Sequence, residues 1–310
     1  MTRLPSFVVL GQGKAGTSLI YRVLERNPAI GLSQPKELHY FSGQFAKGPD
    51  WYAQHFAHID DGAMVGEVSP SYLAPHPVRR IAEHLGRDTK VIFVLRRPIE
   101  RAYSRYLQNI CAKEEPGGFW GKVEKLDEFL AQTEEAIARC YDLFGADNVL
   151  PMMFERDIAT EAPGFEARIL SFLGLPPEEY GAPLLQGGRV NPGVMPRYLY
   201  AQDKATILRH AQQRYIVPKQ SLMFCAQERN SRIMRNPAPQ DVAEAMARQS
   251  SWTTQVTKAD YAALQTRAVL PAADRLEARF GLDLSHWRCA PRQIVYAPSM
   301  PPERFRKDLT

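Results

Sequence analysis

Residues 7–24 read FVVLGQGKAGTSLIYRVL, and the change of pattern inside this stretch decides the fold. Phe7, Val8, Val9 and Leu10 form a short apolar run, as in a strand buried on both faces. Gly11, Gly13 and Gly16 follow, where the backbone can turn without a Cβ in the way and approach a ligand closely. Beyond Gly16 the period becomes helical, with Leu19, Ile20, Val23 and Leu24 on one face and Arg22, Glu25 and Arg26 on the other. Asn27-Pro28 ends the helix.

A strand, a glycine turn and a helix N-terminus aim several unpaired N–H groups and the positive end of a helix dipole at one point. That is an anion site, most often for phosphate. Lys14 adds a full charge, and Thr17 and Ser18 add hydroxyls. The plainer alternative is an ordinary strand-to-helix turn with Thr17 as its N-cap. The three glycines and the lysine between positions 11 and 16 favour phosphate.

A Walker-type nucleotide loop has lysine directly after its last glycine, then Ser or Thr. Here Thr17 follows Gly16, and Lys14 precedes that glycine. The order Lys14-Ala15-Gly16-Thr17-Ser18 instead resembles the 5′-phosphosulfate loop of sulfotransferases that use 3′-phosphoadenosine-5′-phosphosulfate (PAPS). The resemblance implies that Gly11, Gln12, Gly13, Lys14, Ala15, Gly16, Thr17 and Ser18 hold the 5′-phosphosulfate.

Lys90 to Leu95 reads as a buried strand, and Arg96-Arg97-Pro98-Ile99-Glu100-Arg101-Ala102-Tyr103-Ser104-Arg105-Tyr106 follows it. Pro98 suits the first turn of a helix, which puts Arg96 at the carboxyl end of a strand, where ligands of open α/β sheets bind. An arginine there and a serine on the helix can clamp a second phosphate. The segment resembles the sulfotransferase 3′-phosphate motif, so Arg96 and Ser104 are expected to hold that group. A basic, solvated helix is the alternative. Two such turns in this order, about eighty residues apart, make chance a poor explanation.

Between them, Ile30 to Ser33 and Ala63 to Val68 read as strands. Lys36 to Phe41, taken as extended, puts Glu37, His39 and Phe41 on one side and Lys36, Leu38 and Tyr40 on the other. Glycan-type sulfotransferases, heparan sulfate enzymes among them, have a similar Glu-x-His segment whose glutamate is the proposed base; Glu37 is the first choice here and His39 the second. Gly66-Glu67-x-Ser69-Pro70-x-Tyr72 resembles a segment lining the active site in that group, with Val68 where lysine is common. Glu67, Ser69 and Tyr72 are thereby substrate-side candidates, and Trp51 joins them if the aromatic, histidine-rich run from Asp50 to Ile59 lines a cleft rather than a packed surface helix.

The chain has 310 residues, 45% of them hydrophobic, enough for one large domain. Its net charge of +5 comes from 39 basic and 34 acidic residues spread along the sequence, which suits an anionic small molecule and does not argue for nucleic acid. Cys111, Cys140, Cys225 and Cys289 lie far apart, so reduced thiols are expected rather than a metal or disulfide framework. With no leader pattern and no transmembrane-length apolar run, the expectation is a soluble, cytoplasmic protein of bacterial style.

Helical patterns cover Gly121 to Phe144, Phe165 to Leu173 and Lys258 to Phe280, with a further strand over Asn148 to Phe154. Gly187 to Gly193 reads as a loop; by resemblance, Arg189 or Asn191 closes over the nucleotide or substrate. The expected architecture is α/β: a P-loop-type three-layer fold with a central parallel sheet flanked by helices and a helical C-terminal elaboration. A single domain would span 1–290, with 195–258 a helical substrate-side insertion and 291–310 an extended tail. Lys14, Glu37 and His39 would carry the transfer of a sulfuryl group from PAPS to a glycan, lipid or small-molecule acceptor, without a metal. The alternatives are a nucleotide-dependent kinase, which needs Mg²⁺, and a non-catalytic module binding the product PAP.

Overall fold

The computed structural model describes residues 3–112, 119–158, 164–176, 194–196, 233–235 and 258–291. Arg189, Asn191, the 291–310 tail apart from its first residue, and all but a few residues of the 195–258 insertion lie outside the described residues. The chain divides into two compact units. Residues 1–97, 127–191 and 269–289 belong to the first, and residues 98–126, 192–268 and 290–310 to the second.

In the first unit, strands β1 (Phe7–Gly11), β2 (Ile30–Leu32), β3 (Met64–Val68), β4 (Lys90–Leu95) and β5 (Val149–Met153) form a sheet of order β2-β3-β1-β4-β5. Every pairing in it is parallel. Helix α1 (Thr17–Glu25) follows β1, with α2 (Gly48–Ala53) before β3 and α3 (Pro75–Leu85) before β4. The chain steps from β1 through β2 to β3 on one side and then crosses to β4 and β5 on the other. The order therefore switches between β1 and β4, where open α/β sheets leave a crevice at their carboxyl ends.

Period two accounts for the burial. Phe7 and Val9, with Ile92, Val94, Leu150 and Met152, pack in one cluster with Ile20 and Leu24 of α1 and with Ile169 and Leu173 of α7 (Phe165–Leu173). On alternate positions Val8, Leu10, Val91 and Phe93 are equally buried, and the Phe93 ring meets Tyr141 edge-on at 6.4 Å. Strand β1 has no exposed position, as its unbroken apolar run predicts. Trp287, near the end of the first unit, is also completely buried.

Two elements depart from the sequence reading, and a third carries an irregular turn. Lys36 to Phe41 is not extended: Glu37 and His39 take φ of 64° and 54°, and a short wide-turn helix runs from Tyr40 to Gln44. The pattern from Gly121 to Phe144 resolves into α5 (Trp120–Val123) and α6 (Leu126–Phe144). The pattern from Lys258 to Phe280 is helical throughout, with one wide turn over Gln265–Val269 between α8 (Lys258–Leu264) and α9 (Leu270–Phe280), next to Pro271, which has no N–H to donate to the regular ladder.

In the second unit, α4 (Pro98–Ala112) packs beside α5 and beside β6 (Val194–Pro196), which pairs antiparallel with β7 (Ile233–Arg235). Tyr103, Tyr106 and Phe119 form an aromatic cluster there. Among the described residues no helix is long and apolar enough to cross a membrane.

The register opposes Gly66 to Phe7, and a Cβ on Gly66 would lie 2.0 Å from the Phe7 ring. That ring is fixed in the core. Gly66→Ala is expected to destabilise by about 1–3 kcal/mol in urea unfolding; a loss within about 0.5 kcal/mol, the scale of an ordinary surface change, would contradict this packing.

Candidate functional site

Parallel pairing brings the carboxyl ends of β1, β3 and β4 to one edge of the sheet, so the glycine loop, Ser69 and Arg96 share that edge. The loop leaves β1 at Gly11, and the Gln12 N–H donates to the Val94 carbonyl at 3.3 Å. Lys14 has φ of 77° and Gly16 has φ of 89°. A Cβ on Gly16 would also lie 2.9 Å from the Phe154 ring, so position 16 is restricted by conformation and by space.

Gly16 is the N-cap of α1 and lends it no side-chain bond, and the first turn has no acidic residue. The N–H groups of Leu19 and Ile20 reach the Gly16 carbonyl. Those of Thr17 and Ser18 have no partner within the helix, by the geometry of a helix start. No acidic side chain of the first turn offsets the dipole where the loop carries Lys14, and the donor set fits a phosphate or sulfate group. Gln12 is the exception in the predicted loop. Its carboxamide is buried and donates to Thr133 Oγ1 on α6 at 3.3 Å, so it holds the loop to the interior.

Arg96 is buried at the end of β4. Its Nη1 donates to the Lys14 carbonyl at 2.7 Å, and its guanidinium lies 4.4 Å over the Phe154 ring. The residue predicted for a 3′-phosphate thus also fixes the backbone of the 5′ loop. Phe154 packs between the guanidinium and Gly16, a role its place at the end of an apolar run gave no means to foresee. The adjoining Arg97 N–H donates to Glu155 Oε1 at 2.8 Å, which secures the same strand end. Ser104 lies half-exposed on α4, in the second unit.

Glu37 and His39 reach one another without an extended strand. The left-handed backbone at both residues brings Glu37 Oε2 within 3.8 Å of His39 Nε2, while the Lys36 ammonium pairs with Glu37 Oε1. His39 Nδ1 and Ser71 Oγ are 2.7 Å apart, and Ser42 Oγ lies 2.8 Å from Ser71 Oγ. Among the described residues, the non-glycine residues with positive φ are Lys14, Glu37 and His39. These are the three residues assigned chemistry from the sequence, and strained backbone of this kind concentrates at functional sites.

The other substrate-side candidates sit differently. Glu67, Ser69 and Tyr72 are each fully buried. Glu67 accepts hydrogen bonds from Ser69, Tyr72 and Tyr52, each of 2.6 Å. Burial raises the Glu67 pKa, opposed by these three bonds, and raises those of both tyrosines. Within the aromatic run it is Tyr52, not Trp51, that turns to the interior. Trp51 is half-buried at the surface, with the Lys47 ammonium 4.3 Å over its ring. Among the described residues no group of three or more His, Cys, Asp or Glu side chains is placed to hold a metal ion.

Known proteins share parts of this chain. The membrane-associated sulfotransferase kil1 of Dictyostelium discoideum is 36% identical over 107 residues, 33% of this chain and 22% of that protein. Heparan sulfate glucosamine 3-O-sulfotransferase 5 of Mus musculus is 29% identical over 126 residues, 40% of this chain and 36% of the relative. Heparan sulfate glucosamine 3-O-sulfotransferase 3B1 of Homo sapiens is 31% identical over 114 residues, 36% and 28% of the two chains. The chain spans well under half the length of these relatives. A solved sulfotransferase from Alicyclobacillus acidocaldarius superposes with a TM-score of 0.51 at 21% identity, covering 81% of this chain and 99% of that one. No protein-family model matches. The chain is thus similar in sequence to sulfotransferases, the heparan sulfate group among them, and has the sulfotransferase fold.

Burial holds the His39 imidazole below its ordinary value of 6.5; Glu37 pulls it up and Lys36 pushes it down. As pH falls through 6.5 the unfolded chain takes up this proton first, so His39 lowers stability until its folded-state value is passed. Urea midpoints measured from about pH 7.5 to about pH 5 should therefore fall further in the wild type than in His39→Asn. Parallel curves would refute this placement of the ring.

Proposed function

We propose that this protein is a PAPS-dependent sulfotransferase that moves a sulfuryl group to a hydroxyl, less readily an amine, of a glycan, lipid or small molecule. The observation that carries the reading is the bond from Arg96 to the Lys14 carbonyl. It joins two strand-to-helix turns on adjacent strands into one doubly charged anion site, as a nucleotide with phosphates at both ends of its ribose requires. The relatives named above support the class. The helix end without a capping side chain supports the fit.

In this reading the donors from Gly11 to Ser18 hold the 5′-phosphosulfate, and Arg96 holds the 3′-phosphate, for which the sequence motif also offers Ser104. The acceptor oxygen attacks sulfur in line as the bond from sulfur to the bridging oxygen breaks. Lys14 stabilises the charge that grows on that oxygen. Glu37 takes the acceptor proton, and His39, kept neutral by burial, lies within reach to share it. Positioning and charge provide most of the rate in such transfers, so a divalent metal has no necessary part.

Calorimetric titration with PAP, and with ADP with and without Mg²⁺, tests the donor. PAP should bind without metal and more tightly than ADP. Arg96→Ala should weaken it by about 10- to 100-fold, the worth of a hydrogen bond to a charged group. Tighter binding of ATP with Mg²⁺, with no gain from a 3′-phosphate, would replace this reading with a kinase. With labelled PAPS and a panel of acceptors, Glu37→Gln should cut turnover by about 10²- to 10⁴-fold while PAP affinity is kept; unchanged turnover would remove Glu37 as the base.

A further inference from the structure

Glu67 lies on β3 with no exposure to solvent, a costly place for a carboxylate. Apolar residues of similar volume commonly stabilise such a site at least as well. Here the carboxylate gathers hydroxyls from Tyr52 on α2, from Ser69 beyond the strand end and from Tyr72 in the turn that follows. All three bonds are 2.6 Å, short as charge-assisted bonds are.

One of these hydroxyls reaches onward to the segment that carries Glu37 and His39, and the ring of another packs against it. Ser69 Oγ accepts the His39 N–H at 3.5 Å, and the Tyr72 ring meets the Phe41 ring edge-on at 5.3 Å. That segment needs holding. Left-handed backbone at a residue with a side chain costs about 1–2 kcal/mol, and it persists only where surrounding structure fixes it. Glu37 and His39 both adopt it, and their facing geometry depends on it.

We propose that Glu67 is a positioning residue for the Glu37–His39 pair: its carboxylate orients Ser69, and Ser69 fixes the His39 backbone so that the two side chains face each other. The assignment of chemistry to that pair rests on the sulfotransferase reading; the positioning itself does not. Glu67 acts through Ser69 and does not touch an acceptor.

The test compares two variants that each remove one hydroxyl from the same carboxylate. Ser69→Ala breaks the path to His39, and Tyr52→Phe leaves it. The readouts are the ring titration of His39 by NMR, assigned with His39→Asn, and exchange of the His39 amide. Ser69→Ala should move the titration upward toward 6.5 and speed the exchange, and Tyr52→Phe should do neither. Equal effects in both variants, or none in either, would overturn the proposal. Glu67→Gln should behave as Ser69→Ala where it folds; where it does not, the hydroxyl pair still decides. PAP titration of the same proteins separates the two claims. Affinity should be equal in all three, whereas a wild type that does not bind PAP would end the sulfotransferase reading and leave the His39 comparison standing.

Discussion

The 2.7 Å bond from Arg96 to the Lys14 carbonyl is the interaction on which the site depends. A glycine loop on its own has many conformations, and ordering each residue costs about 1–2 kcal/mol. Here the carbonyl of the residue with the unusual φ is the one that is held, and by a buried guanidinium. The fold makes this possible: β1 and β4 are neighbours in register, Gly11 opposite Val94. The loop after one strand therefore starts beside the arginine that follows the other. Phe154, arriving from β5 next door, completes the arrangement under the guanidinium and against Gly16.

What the sequence disclosed follows from where the information lies. β1, α1 and β4 were legible because burial on both faces, or on one stripe, forces a pattern that each of these elements shows along its length. The segment from Lys36 to Phe41 was not legible. Its conformation is held by Ser69 and Tyr72, some thirty residues away, and no local propensity favours left-handed backbone at Glu37 or His39. The pairing of Glu37 with His39 was expected from a strand and is found by another route, so the right neighbours came from the wrong geometry.

Burial also sorted the candidates in a way that residue type could not. A Glu, a Ser and a Tyr at the end of a strand read as polar groups awaiting a substrate, but Glu67, Ser69 and Tyr72 bond one another in the interior. Only the long-range partner, Tyr52, makes that possible by taking the second carboxylate oxygen. Gln12 is similar: its place among the loop's donors suggests a ligand, and its contact with Thr133 on α6 is internal.

The features of the first unit that run against stability gather at one edge of its sheet. Helix α1 starts on a glycine that gives no side-chain bond, with no acid to offset its dipole. Lys14, Glu37 and His39 hold positive φ, and Arg96 and Glu67 bury charge. The opposite ends of the same strands show no such concentration: Phe7 and Gly66 simply pack, ring against backbone. Each cost is of the order of 1 kcal/mol or more, and a core as continuous as that around β1 can bear several of them. The edge that concentrates these costs is the one where the glycine loop, Arg96 and the end of β3 at Ser69 meet, and the bond from Arg96 to the Lys14 carbonyl crosses it.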